Sequence, residues 1–249
     1  LLVVGDKEGA DSSPSSVDTK LLAAAAAHIA IHLENAGLYD DMNTMFLGML
    51  EAITASIDAK DQYTCGHSRR VALLTRQLAE GIGLDGATVK RMHIAGMVHD
   101  VGKIGVPEAV LCKAGRLTDA EYVQVQRHPE IGFGILKDIP SFDDILDGVR
   151  HHHERFDGGG YPAKLAGEDI PLAARLIALA DAFDAMCSSR TYRDAMDRDA
   201  VLAEIEAGSG TQFDPALVPC FLKLDFSEWE QLIASHGGMK PHARLEDAA

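Results

Sequence analysis

The stretch that most constrains this chain is Met97-Val98-His99-Asp100-Val101-Gly102-Lys103, where an apolar run from Met92 to Val98 leads into an adjacent imidazole and carboxylate. The run reads as the end of a helix. Neighbouring helical side chains point about 100° apart, so His99 and Asp100 can grip one cation from two sides. An imidazole and a carboxylate are a usual ligand pair for a metal that activates water. Alone, the stretch leaves a second reading equally open: a buried, hydrogen-bonded structural pair.

Other residues of the same types recur along the chain, which holds eleven His. His67 lies at the start of a helix predicted over residues 64–81, and His128 precedes Pro129. His151, His152 and His153 run together before Glu154, and Asp181 interrupts the apolar helix of residues 171–186. A carboxylate placed there is costly unless paired or bound to a cation. Each has a bland reading: His67 as a helix-terminal surface group, His128 as a solvated loop residue, the triplet as an exposed neutral run. Together they favour a shared cavity, because they ride on helix faces that must pack inward.

The remaining periodicity is helical. After an apolar strand-like start at residues 1–5 and a polar loop, a helix opens with Asp18 as candidate N-cap and runs through an Ala-rich segment to Leu33. A second helical pattern covers residues 40–58, with Met42, Met45, Phe46, Met49, Leu50 and Ile53 on one broad face. That face suits packing on the next domain and pairing with a second copy of the chain. Asp85 caps the helix leading to Asp100, and Thr118-Asp119-Ala120-Glu121 has the form of a capping box. Further helices are predicted after Pro129 and over residues 142–153, 199–207 and 215–224. The expected fold is all-α, with residues 226–249 an uninformative tail.

With 47% hydrophobic residues in 249 a sizeable core is available, and no run reads as a membrane span. A formal charge of −15 argues against a general duplex-binding surface, though not against a small phosphate ligand. Cys65, Cys112, Cys187 and Cys220 show no CxxC spacing and read as free thiols in a reducing, cytoplasmic setting. The chain begins at Leu1, as a piece of a longer protein would.

Two resemblances add to this reading. Leu33-Glu34-Asn35-Ala36-Gly37-Leu38-Tyr39 resembles the closing passage of a GAF sensory domain, which implies that residues 1–38 are the end of such a domain and 39–60 a connecting helix. The second covers residues 41–225 and rests on an ordered series. It comprises Tyr63-Thr64-Cys65-Gly66-His67-Ser68, His99-Asp100-Val101-Gly102-Lys103-Ile104-Gly105 and His128-Pro129-Glu130-Ile131-Gly132. It continues through His151-His152-His153-Glu154-Arg155-Phe156-Asp157-Gly158-Gly159-Gly160-Tyr161-Pro162, Ala180-Asp181-Ala182-Phe183-Asp184-Ala185-Met186 and Arg190-Thr191-Tyr192-Arg193. In order and spacing this resembles the HD-GYP phosphodiesterases, a branch of the HD metal-dependent phosphohydrolases.

The resemblance implies an HD-type helical bundle with an HD-GYP extension over residues 61–225, preceded by a long linker helix. It implies that His67, His99, Asp100 and Asp181 hold one metal, and that Asp100 bridges to a second held by His128, His152 and His153. His151 has no ligand role in it. Lys103 is expected beside the bridging water or a phosphate oxygen. Gly160, Tyr161 and Pro162 are expected to shape the substrate loop, and Asp184, Arg190 and Arg193 to contact the ligand. The chain departs from the pattern twice. Some members carry a third-metal Glu where Tyr63 stands here, so two metals are expected; Thr191 replaces a common Pro.

The implied chemistry needs no Ser or Cys nucleophile. Two metals about 3.5–4 Å apart neutralise phosphodiester oxygens and bring a bridging water's pKa towards neutrality, and that hydroxide attacks phosphorus in line. Mixed His and carboxylate ligation suits Fe or Mn and admits Zn less comfortably. The implied substrate is cyclic di-GMP, opened to linear pGpG and cut on to GMP in some members, with cyclic GMP-AMP kept open. The rival readings are a slow cyclic di-GMP receptor signalling through the N-terminal helix, an HD hydrolase of another nucleotide and an all-α interaction domain; a homodimer through the N-terminal helix is expected.

Overall fold

A computed structural model describes residues 15–60, 66–113, 115–188 and 196–236. The strand expected over residues 1–5 lies outside them. Among the described residues there are eleven α-helices, short 3-10 turns and no strand, so the all-α expectation holds. The helices are α1 (Ser16–Asp58), α2 (His67–Gly81), α3 (Gly86–Val98), α4 (Glu108–Leu111), α5 (Asp119–Val125), α6 (His128–Leu136), α7 (Leu146–His151), α8 (Leu172–Cys187), α9 (Arg198–Ala207), α10 (Val218–Phe221) and α11 (Ser227–His236).

The chain divides into two compact units, residues 1–49 and 50–249. The first is represented by the larger part of α1. The two helical patterns expected in the sequence are one continuous helix, and its N-cap is Ser15 rather than Asp18. Ser15 Oγ accepts the Asp18 N–H at 3.2 Å, while the Asp18 carboxylate accepts the Ser15 N–H at 2.8 Å. Asp18 is thus the reciprocal third residue of a capping box. Val17, Leu21, Leu33, Leu38, Met42 and Met45 on this helix are exposed. Against the expectation that no run reads as a membrane span, α1 is long and apolar enough to cross one by length and composition. The Ala-rich segment supplies that character with few charges.

The second unit is built around α2 and α8. Helix α2 packs on α3 and α8, and α7 packs between α6 and α8. Val71, Leu74 and Leu78 of α2 and Leu176, Ile177, Leu179 and Phe183 of α8 are almost fully buried. The inward stripe of α2 begins with His67, so the face that makes the core also carries a polar group to its edge. Asp85 caps α3 by accepting the Ala87 and Thr88 N–H groups, as expected. The helix expected over residues 142–153 is shorter. Pro140–Phe142 is a 3-10 turn and α7 starts only at Leu146. Arg91 of α3 bonds the Ser141 carbonyl and the Asp144 carboxylate, which holds this segment as a turn. The C-terminal stretch expected to be an uninformative tail contains α11.

Candidate metal centre

Helix α3 ends at Val98, His99 is its C-cap, and Asp100 opens the 3-10 turn Val101–Gly105. Gly102 in that turn lies against α6. A Cβ there would overlap the His128 carbonyl, so only glycine lets α6 come close enough to present His128 to Asp100.

Three imidazoles are held in one manner. The Nδ1–H of His99 donates to the Gly96 carbonyl at 2.8 Å, that of His128 to Val125 at 2.7 Å, and that of His152 to Val149 at 2.7 Å. Each acceptor lies three residues back. A carbonyl can only accept, so each Nδ1 carries a proton, and in the neutral ring Nε2 is the nitrogen with a lone pair to offer. His67 is fixed by a carboxylate instead: its Nδ1 lies 2.8 Å from Asp184 Oδ2. Such outer bonds to a ligand's second nitrogen are the usual means of aiming it.

The freed atoms converge in two groups sharing Asp100, one with His128, His152 and His153 and one with His67 and His99. Asp100 Oδ1 is 3.1 Å from His128 Nε2 and 3.9 Å from His152 Nε2. Its Oδ2 is 3.3 Å from His99 Nε2, 3.7 Å from His67 Nε2 and 2.6 Å from Lys103 Nζ. Each carboxylate oxygen therefore serves one group. Asp181 Oδ1 stands beside the second, 3.2 Å from His67 Nε2 and 4.0 Å from His99 Nε2.

This donor set fits divalent cations. His128 Nε2 lies 3.3 Å from His152 Nε2 and 3.2 Å from His153 Nε2, so lone-pair donors crowd together. His99 Nε2 and Asp100 Oδ1 are buried with no hydrogen-bond partner. Buried acceptors left unmatched cost roughly 1–3 kcal/mol each, and a cation satisfies them together.

The electrostatics differ between the groups. Burial, reinforced by His128, pushes His153 down to about 3, and burial with His153, His99 and His128 holds His152 well below the usual imidazole range. Both are neutral and ready to coordinate. Burial also opposes charge on His67, but hydrogen bonds to Asp181 and Asp184 outweigh it and raise His67 to about 10. Against the burial penalty, Lys103 and His99 hold Asp100 well below the carboxylate range, so it remains an anion.

The loop residues stand beside the first group. Gly160 packs where a side chain would meet the backbone of residues 153–155, and the Tyr161 N–H donates to the His153 carbonyl at 3.2 Å. The Tyr161 ring stacks on His153 with centroids 4.9 Å apart, and Pro162 follows half-buried through a cis peptide. His151 belongs to neither group, and its Nδ1 lies 3.4 Å from Glu154 Oε1. Arg190 and Arg193 lie outside the described residues, as do Tyr63 and Cys65.

Asp184 requires a correction. The sequence places it in contact with the ligand, but its side chain is fully buried and both oxygens are taken by protein donors: Arg70 Nε at 2.6 Å, Arg70 Nη2 at 2.9 Å, Trp229 Nε1 at 2.7 Å and the His67 ring. Sequence reasoning missed Arg70 and Trp229. The one signal for Arg70 is a cation one turn after His67 on a helix whose inner face is apolar.

The HD domain family profile matches residues 51–217. A 3′3′-cGAMP-specific phosphodiesterase of Vibrio cholerae is 33% identical over 91% of this chain and 43% of its own length. The cyclic di-GMP phosphodiesterase response regulator RpfG of Xanthomonas campestris is 40% identical over 70% of this chain and 47% of its own length. The chain spans about half the length of these curated relatives. Among solved structures, a cyclic GMP-AMP-specific phosphodiesterase of V. cholerae superposes with a TM-score of 0.53 at 19% identity, covering 75% of this chain and 48% of that one. At that identity it speaks for the fold.

Proposed function

Because this chain belongs to the HD-domain family, we propose that it is a metal-dependent phosphodiesterase of the HD-GYP branch that opens a cyclic dinucleotide. The observation that carries this is the convergence of His67, His99, His128, His152 and His153 on the two oxygens of Asp100, with buried acceptors unmatched. The first reading of the substrate is cyclic di-GMP, hydrolysed to linear pGpG. Water adds to one phosphorus, the bond to the ribose 3′ oxygen breaks, and a 5′-phosphate and a 3′-hydroxyl result. The relative that acts on 3′3′-cGAMP supports a second reading with that substrate.

Two divalent cations, with Fe or Mn the best match to the donors, would be held by His67, His99, Asp100 and Asp181 and by Asp100, His128, His152 and His153. They would supply Lewis acidity and a lowered water pKa. The protein's own residues do the rest. The Gly96, Val125 and Val149 carbonyls keep the Nδ1 protons of three ligands, so Nε2 is available without rearrangement. Lys103 holds one Asp100 oxygen and places a positive charge beside the site for an anionic diester. Tyr161, stacked on His153, sets the wall of the loop, and Arg190 and Arg193 remain the proposed contacts to phosphate or guanine.

Residues 61–225 are proposed as the catalytic domain, 1–38 as the end of a GAF-like sensory domain and 39–60 as its connector. The exposed apolar residues of α1 support pairing with a second copy, which sedimentation across a range of concentrations tests. The function is tested by elemental analysis of anaerobically purified protein with product assays on cyclic di-GMP and 3′3′-cGAMP. About two metals per chain and a linear product are expected, with the faster substrate deciding between the readings. Metal-replete protein that binds but leaves both uncut would make it a receptor.

A further inference from the structure

Trp229 is the chain's one tryptophan and stands on α11, beyond residues 51–217 covered by the family profile. It is 4% exposed. Its indole N–H reaches back to α8 and donates to Asp184 Oδ1 at 2.7 Å. Arg70 of α2 grips the same carboxylate through two nitrogens, at 2.6 and 2.9 Å, and the remaining contact is His67 Nδ1 at 2.8 Å. A carboxylate offers about four lone-pair sites, and these four donors occupy them.

The arrangement makes Asp184 directional. With three of its sites fixed by a planar guanidinium and an indole, each locked by burial, the fourth points one way. His67 must meet it with Nδ1–H, and the ring then presents Nε2 to Asp181 at 3.2 Å and to Asp100 at 3.7 Å. We propose that α11 belongs to the support of the metal centre: Trp229 and Arg70 are positioning residues that set Asp184, and Asp184 sets the tautomer and aim of His67. The chain beyond the recognised domain is thereby tied to one of the two ligand groups and not to the other. This rests on the metal-centre reading above.

The competing account is that Trp229 serves packing alone, since its ring also meets Phe183 at 5.0 Å in a cluster with Phe221 and Phe226. Three variants separate the two. Trp229→Phe keeps an aromatic ring and deletes the donor. Arg70→Lys keeps the charge and loses the two-pronged grip. Phe226→Leu weakens the cluster, where Phe226 stacks on Phe183 at 4.7 Å, and deletes no donor, its ring meeting Trp229 only edge-on at 6.5 Å.

Metal-free protein of each is titrated with Mn2+ by calorimetry, and free Mn2+ is counted by its electron paramagnetic resonance signal. Wild type is expected to bind two ions. Trp229→Phe and Arg70→Lys should bind one as before and the other about 10- to 100-fold more weakly. Raising Mn2+ should restore turnover in both. Phe226→Leu should melt earlier with both affinities unchanged. Equal Mn2+ binding by Trp229→Phe and wild type would overturn the proposal, as would a loss in Phe226→Leu matching that in Trp229→Phe. If Trp229→Phe fails to fold, Arg70→Lys decides by the same readout. Wild-type protein that binds no Mn2+ would instead refute the metal reading on which this rests.

Discussion

Asp100 joins the two halves of the centre, since its Oδ1 faces His128 and its Oδ2 faces His99 and His67. Asp100→Ala should therefore lose both metals and bring hydrolysis to background while far-ultraviolet circular dichroism stays native; hydrolysis retained in that variant would show that the bridge is misassigned. Gly102 is a second dependency, of backbone rather than charge. Its neighbour is the His128 carbonyl, which cannot swing aside as a side chain would. Gly102→Ala should cost about 1–3 kcal/mol in urea unfolding, the range of an overpacked core, and reduce Mn2+ affinity by displacing α6. The gathering of these His and Asp residues was legible in the sequence because a His or Asp carried inward on an apolar helix face must be paired or hold a cation. The part of Asp184 was not. Asp181 and Asp184 are one turn apart on α8, and nothing local says which faces the cluster and which meets Arg70 and Trp229.

At the level of elements, α5 shows how a cap far from the chemistry bears on it. Thr118 and Glu121 form the expected capping box, Lys113 adds two bonds to the Glu121 carboxylate at 2.8 and 2.6 Å, and the helix ends by offering the Val125 carbonyl to His128. The Lys113 bond and then the Thr118 N–H lower Glu121 from 4.5 to about 2. A carboxylate depressed on folding stabilises above its unfolded value and loses that contribution as pH falls towards its folded value. Amide exchange in the first turn of α5, corrected for its intrinsic pH dependence, should thus show protection that declines between about pH 4.5 and 2. Glu121→Gln should remove this dependence; an unchanged profile in the variant would assign it elsewhere. Capping signals such as this one and Asp85 could be read because they are local in sequence. The late start of α7 could not, since Arg91 imposes it from about fifty residues away, and α11 was missed because a ten-residue stretch with a single Trp gives little periodicity to read.

For the whole molecule, the clustered His and Asp residues lie on α2, on the α3 C-cap and its following turn, on α6, on and just beyond α7, and on α8. They are spread over more than a hundred residues, so the unfolded chain cannot assemble them. Anything bound there stabilises the fold by mass action, by about 2.7 kcal/mol at a hundredfold excess over Kd. In a domain of this size that corresponds to an upward shift of about 5–10 °C in melting temperature. Every clustered residue also lies in the unit of residues 50–249 and, among the described residues, none in residues 1–49. Metal should therefore act on one unit only. Hydrogen exchange with and without Mn2+ is expected to slow the core amides of α2, α6 and α8 and to leave those of α1 between Ser16 and Met49 unchanged. Slowing of equal size along that part of α1 would mean that the ion's stabilisation passes between the units, which the distribution of the clustered residues gives no reason to expect.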